Sequence, residues 1–258
     1  MRYIQKQMPL SDARRIQKKK RETVQVVLLI GLVVLFFSLL FKNRWPKPPE
    51  IRPECLQEPV QTQEDVPEPF IDEAKGYRYE VQPLFNYELW GMVVSSHYAG
   101  SITDFAHDVW KDYLNIKDIC VIFGRNLETD AFRYVSFRSR DFTCYYSYRD
   151  PDVGELFSGA HIANNHLITS DPVLVRAIKR ARRGDQVRIK GWLVNYRHEG
   201  SPYGRSTSTV RTDRGDRACE VVYVTEFEIM KKANPGWRAA FPLSLIIIAG
   251  SVLALFFI

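Results

Sequence analysis

Two runs without a single charged side chain, residues 24–41 and 239–258, stand apart in the pattern of apolar and polar positions along this chain. Each is long enough to cross a hydrocarbon core about 30 Å thick as a helix, and a helix satisfies its own backbone, as lipid demands. They predict two transmembrane helices. Between them the pattern changes to short stretches rich in Val, Ile, Tyr and Phe, at 77–85, 87–97, 118–123, 132–137, 142–148, 186–196, 206–211 and 219–230. Gly, Asp, Asn and Pro separate these stretches, which read as strands. Val187, Ile189, Gly191 and Leu193 alternate with more polar neighbours, the pattern of a sheet with one buried face.

Two helices interrupt the strands. The first, 103–113, puts Phe105, Val109, Trp110 and Tyr113 on one stripe. The second has Asp171 as N-cap, Pro172 at the first helical position, Val173, Val175, Ile178 and Ala181 facing inward, and Gly184 as its stop. The expected fold class is α+β: a mostly antiparallel, barrel-like extracytoplasmic β domain with two short helices, flanked by two transmembrane helices.

The chain then divides into a basic cytoplasmic tail (1–23), a transmembrane helix (24–41), a linker (42–75), the β-rich domain (76–230), a short juxtamembrane linker (231–238) and a second transmembrane helix (239–258). Seven of the fourteen prolines fall within 45–75, interleaved with Glu and Asp. Proline removes backbone donors and like charges repel, so this stretch is expected to lack a core of its own. It serves as slack, as a wrap around the domain, or as a docking strip.

Charge fixes the expected orientation. Of 36 basic and 30 acidic residues, the first 22 positions carry eight and two, so the rest of the chain is balanced. The positive-inside rule places both termini in the cytoplasm, with the domain outside and Trp45 and Trp237 at the outer interface. A polybasic segment beside a span is an orientation signal that also attracts anionic lipid, so nucleic acid is not expected as a partner. The absence of any Asn-x-Ser/Thr sequon favours a bacterial inner membrane over a glycosylated ectodomain. The expected partners are the lipid bilayer and an unidentified membrane or periplasmic protein. A homo-oligomer is a further option, because Gly250 and Ala254 offer a small-residue patch to Gly31 and Ser38 of the first span or to another subunit.

Candidate chemistry is sparse. No cofactor is implied, and no metal: there is no close Cys-x-x-Cys pair, and His161 and His166 are not spaced i, i+4. Cys120, Cys144 and Cys219 lie in strand-like stretches of a compartment that permits disulfides, with Cys55 alone in the linker; the sequence leaves the pairing open. Lys179, Arg180, Arg182 and Arg183 could meet an anionic surface, although cations at a helix C-terminus also complement its dipole. Arg214, Gly215 and Asp216 read as a turn.

The run Gly184, Asp185, Gln186, Val187, Arg188, Ile189, Lys190, Gly191 resembles the Gly-Asp-x-Val-x-Ile-x-Gly strand of many oligonucleotide/oligosaccharide-binding (OB) barrels, which host many unrelated sites. In the order of a histidine (His161 or His166), Gly184-Asp185 and then Cys219, the chain is also similar to sortase transpeptidases. The Thr-Leu-x-Thr-Cys strand is absent, and the only arginine after Cys219 is Arg238. This likeness implies Cys219 as nucleophile and His166 as its acid/base, with the oxyanion role unfilled. The leading expectation is a non-catalytic binding or interaction module; the alternative is a cysteine-dependent acyl-transfer enzyme. Cys219 opens an apolar strand and should be inert unless His166 or an arginine adjoins it.

Overall fold

A computed structural model describes residues 10–100, 109–140, 142–213 and 218–258. The chain forms two units: residues 1–44 with 234–258, and Trp45–Ala233. In the first unit, helix α1 (Leu10–Phe41) packs on the last helix of the chain, α5 (Pro235–Phe257). Two apolar helices long enough to span a membrane, one at each end, fit a two-span membrane protein. Gly31 brings the helices close, since a Cβ there would sit 3.1 Å from the side chains of Ile247 and Ile248. Gly250 has nothing within 4 Å of its Cβ position, so the small-residue contact expected of it is made by Gly31 against isoleucines instead. Trp237 packs on Phe37 and Phe41.

The second unit is mixed α/β with a seven-stranded sheet. Its strands are β1 (Val60–Thr62), β2 (Phe70–Ala74), β3 (Tyr77–Tyr98), β4 (Asn115–Ile122), β7 (Ile162–Ile168), β8 (Gln186–His198) and β9 (Cys219–Lys231). A separate hairpin joins β5 (Ser136–Arg140) to β6 (Thr143–Ser147). Strand β3 pairs with β4, β4 with β7, β7 with β9, β9 with β8, and β8 with β3 again. Of these, only β7 with β9 is parallel. Three further helices among the described residues are α2 (Arg125–Glu128), α3 (Pro151–Leu156) and α4 (Pro172–Arg180).

Local signals account for several elements. The Asp171 carboxylate accepts from the backbone N–H of Val173 and Leu174, and Pro172 sits where a missing N–H costs nothing. Helix α4 ends at Arg180, earlier than expected: the Lys117 ammonium bonds the Ala181 carbonyl and the Asp185 carboxylate takes the Arg182 N–H. Gly184, in left-handed geometry, then completes the turn into β8. The alternating Val187, Ile189 and Leu193 are fully buried in the main core with Leu89, Ile119, Val121 and Val222.

Other expectations are corrected. Stretches 77–85 and 87–97 form one long strand, with a register shift between Pro83 and Phe85 in its pairing to β8. Residues 206–211 form no strand; the bridge there joins Tyr196 and Arg205. Strand β7 was not expected at all. The helix expected at 103–113 lies mostly outside the described residues, and the chain turns at Lys111 with φ 54°.

The expected linker is part of the fold. Strands β1 and β2 pair with β3, Cys55 is fully buried, and the Trp45 indole meets the Phe132 and Phe137 rings edge-on. Gln186 accepts from the Arg52 N–H at 2.7 Å and donates to the Glu50 carbonyl at 3.0 Å. The compact unit therefore starts at Trp45 rather than at residue 76. Proline and acidic side chains hid this because the partners that tie the strap to the sheet lie elsewhere in the chain. Native full-length protein in detergent should accordingly resist a glutamate-specific protease at Glu54, with Gln186→Ala accelerating cleavage there. Equal, rapid cutting of both proteins would contradict a tied strap.

Candidate functional site around Cys219

Strands β4, β7 and β9 lie side by side, and their register decides what meets. Asp118 pairs with His166 and Cys120 with Asn164 across β4 and β7; Asn164 pairs with Cys219 and His166 with Val221 across β7 and β9. Directly paired residues share a face of a sheet, as do alternate residues of a strand. Asp118, Cys120, Asn164, His166 and Cys219 therefore stand on one face. The opposite face carries Ile119, Val121, Ala163, Leu167 and Val222 into the core.

The imidazole of His166 is held at Nδ1. Its Nδ1 lies 2.6 Å from Asp118 Oδ1, which also accepts from Asn115 Nδ2 at 2.9 Å. A carboxylate can only accept, so Nδ1 carries the proton and Nε2 is left for other work. The Cys219 side chain is close enough to act on this imidazole, while the bond its thiol donates goes to the Phe142 carbonyl at 3.7 Å. Burial by itself would pull the imidazole pKa down, but the charge and hydrogen bond of Asp118 and the nearby Cys219 side chain outweigh it and raise it to about 9. Asp118 shows the reciprocal effect: burial would raise its carboxyl, yet His166, Asn115 and the Arg205 charge bring it to about 2.

Cys219 is not in a disulfide and is partly exposed. Asn164 Nδ2 lies 3.2 Å from its sulfur and 2.7 Å from the Phe142 carbonyl. Phe142 adopts left-handed geometry with φ 68°, and its ring packs on His166 at 6.1 Å, stacks on Trp110 at 5.3 Å and carries the Arg205 guanidinium 3.7 Å from its centre. Arg205 is anchored by Asp112 at 3.2 Å, and Asp112 in turn accepts from Tyr196 at 2.6 Å. Two buried atoms beside the imidazole, Asn164 Oδ1 and Asp118 Oδ2, have no hydrogen-bond partner among the described residues. A cleft of about 150 Å³, lined by Thr143, Cys144, Tyr146, Asn164, Asp213 and Cys219, opens at the sulfur.

The remaining residues singled out in the sequence lie apart from this row or join it differently. Cys120 and Cys144 form a disulfide, and Cys55 is a buried free thiol, pushed up to about 12 chiefly by burial, within reach of Gln186. His161 instead pairs with Glu58 at 2.8 Å. Lys179 lies over the Tyr98 ring and Arg183 over Trp45; the Arg182 backbone bonds Asp185 and Arg180 is exposed. The turn at Arg214, Gly215 and Asp216 lies outside the described residues. No group of three or more His, Cys, Asp or Glu side chains among the described residues could hold a metal ion.

Asp118, Asn164 and Arg205 went unnoticed in the sequence. A signal was available: Asn164, Asn165 and His166 are consecutive polar residues inside an otherwise apolar stretch, and buried polar groups need partners. Among the described residues, Arg205, whose charge reaches both Asp118 and His166, precedes Cys219 in the chain, so a search after the cysteine missed it. Comparison with protein-family models, with curated proteins and with solved structures returned no match. Fold and site together define a class without borrowed identity: a β-rich domain between two apolar helices, with a free cysteine beside a carboxylate-held histidine.

Proposed function

We propose that this is a cysteine-dependent enzyme of acyl-transfer type, with Cys219 as nucleophile, His166 as acid and base, and Asp118 fixing the imidazole. The observation that carries the reading is an unpaired, partly exposed thiol on the same sheet face as a histidine whose Nδ1 is held 2.6 Å from a buried carboxylate. That is the arrangement by which a weak nucleophile is activated. In the step proposed, the neutral form of His166 takes the Cys219 proton at Nε2 and the thiolate attacks a carbonyl carbon. The leaving group departs with the proton returned by His166, which leaves a thioester for a second nucleophile to resolve. Asn164 Nδ2, beside the sulfur, is the candidate donor to the developing oxyanion.

The five-strand circuit of pairings, with α4 between β7 and β8 and the run at 184–193 opening β8, supports reading the domain as a closed barrel of OB type. The basic flank of the first span and the Cys120–Cys144 disulfide support a periplasmic domain on a bacterial inner membrane, with both termini cytoplasmic. The non-catalytic binding module remains the competing reading. Under it, the partner is a membrane or periplasmic protein and the buried pair is structural.

Thiol labelling separates the two. Near neutral pH, Cys219 of the full-length protein should react with iodoacetamide much faster than Cys55, and His166→Ala should slow that reaction by about 100-fold with the fold retained. Slow labelling of Cys219 that is indifferent to His166 would favour the binding module.

A further inference from the structure

Cys219 shares its cleft with a second sulfur centre. Cys144, one half of the Cys120–Cys144 disulfide, lines the same opening. Cys120, Asn164 and Cys219 form one row across β4, β7 and β9. Neighbouring strands are about 4.8 Å apart, so the two outer members of that row are on the order of 10 Å apart at the backbone. Asn164 stands between them. His166, two residues further along β7 on the same face, is diagonal to both cysteines.

The strand that carries Cys144 is held to the main sheet by side-chain packing and by bonds such as Ser95–Ser139, not by a strand ladder. Strand β6 pairs with β5 in a two-stranded sheet of its own and contributes no rung to the seven-stranded sheet. A shift of that hairpin toward β9 breaks none of the main ladder. Cys120, by contrast, is fully buried among Met92, Ile122 and Phe132.

We propose that Cys219 and the Cys120–Cys144 disulfide form a three-cysteine exchange relay, in which the bond migrates within the protein from Cys120–Cys144 to Cys144–Cys219. The inference rests on Cys219 being activated by His166, as above, but not on acyl transfer. The Cys219 proton moves to the neutral form of His166, the thiolate attacks the Cys144 sulfur in the cleft, and the Cys144–Cys219 bond forms as the Cys120–Cys144 bond breaks. Cys120 leaves with its electron pair and takes the proton from His166, since apolar surroundings disfavour a bare thiolate. One thiol and one disulfide become one thiol and one disulfide, so no outside oxidant or reductant is consumed. The consequence is chemical control of the site: the nucleophile is free in one isomer and masked in the other.

The test is disulfide mapping of full-length protein in detergent, with thiols trapped by acid quench and alkylation before digestion. Wild-type protein held at pH 8 without oxidant should yield peptides joined through Cys144 and Cys219, together with alkylated Cys120. The Cys120→Ser variant treated with one equivalent of diamide should form the Cys144–Cys219 bond in most molecules. If Cys120→Ser does not fold, the wild-type mapping decides alone. The relay is overturned if wild-type protein contains only the Cys120–Cys144 bond at every incubation time, or if a folded Cys120→Ser keeps both remaining cysteines alkylatable after diamide. Fast, His166-dependent labelling of Cys219 with no migrated bond would sink the relay and leave the nucleophile assignment standing. A migrated bond with slow labelling that ignores His166 would overturn the activation by His166 on which both rest.

Discussion

Replacing His166 by alanine should lower the unfolding midpoint of the full-length protein by about 10 °C, because it strands a buried carboxylate. Asp118 is 1 % exposed and its Oδ2 already lacks a partner among the described residues. Removing one member of a buried pair costs about 3–5 kcal/mol, and about 1 kcal/mol moves the midpoint by about 2–4 °C in a chain of this size. The pH dependence has a definite sign. The folded imidazole binds its proton more tightly than the unfolded one, with a pKa of about 9 against an ordinary 6.5. The stability it contributes is fully present below the lower value and is lost as pH rises through the higher one, a change on the order of 3 kcal/mol. Asp118 acts in the other direction: its contribution is present above the ordinary 3.8 and is lost as pH falls toward about 2.

Thermal melts from pH 6 to pH 10 check this. Wild-type protein should lose stability across the window from 6.5 to 9, and His166→Ala should lose much less. Lys117, lowered to about 8 chiefly by burial, and Glu220, raised to about 7 chiefly by burial, also titrate near this range but are present in both proteins. The difference between the two melting profiles therefore reports on His166 together with Asp118 and Glu220, whose carboxyls it holds down. Parallel profiles would mean that the imidazole is not held as a cation.

Gly191→Ala should prevent the domain from folding. A Cβ at Gly191 would lie 2.0 Å from the Tyr223 carbonyl oxygen and 3.1 Å from the Val224 Cα, both backbone atoms that cannot rotate away. Gly191 faces Tyr87 on β3 and Val224 on β9, beside a register shift, so the clash falls where β8 is held on both sides. Relief requires separating β8 from β9, and the expected cost is at least about 4–5 kcal/mol, the exceptional end for a single substitution. Gly200→Ala is the control. It has left-handed backbone, φ 80°, but nothing within 4 Å, so backbone strain costs it only about 1–2 kcal/mol. The expected readout is loss of soluble, trypsin-resistant full-length protein in detergent for Gly191→Ala and near-normal yield for Gly200→Ala. Equal yields would refute the close backbone approach.

What could be read without coordinates follows from the range of each interaction. The start of α4 was legible because its cap and its proline are neighbours in sequence. The inward face of β8 was legible because alternation is a local pattern. Strand β7 was not, since three consecutive polar residues, Asn164, Asn165 and His166, contradict β propensity. Their burial makes sense only with partners in hand: Asn165 accepts from the Tyr87 hydroxyl on the core side, whereas Asn164 and His166 serve the opposite face. The strap at 45–75 failed for a related reason. Its composition is that of a disordered segment, but Asp72 accepts from Tyr223, and Gln186 bonds both Arg52 and Glu50.

The sequence by itself therefore determined two uncharged runs long enough to span a membrane as helices, a domain of mixed α and β content between them and the start of its best-capped helix, because hydrophobic runs, alternation and caps are properties of adjacent residues. Tertiary structure decided the site. Asp118 and His166 are 48 positions apart, and Asn164 and Cys219 are 55 apart. They meet because β7 pairs antiparallel to β4 and parallel to β9 in one particular register. A slip of one residue in either pairing would turn His166 away from Asp118 or Cys219 away from Asn164.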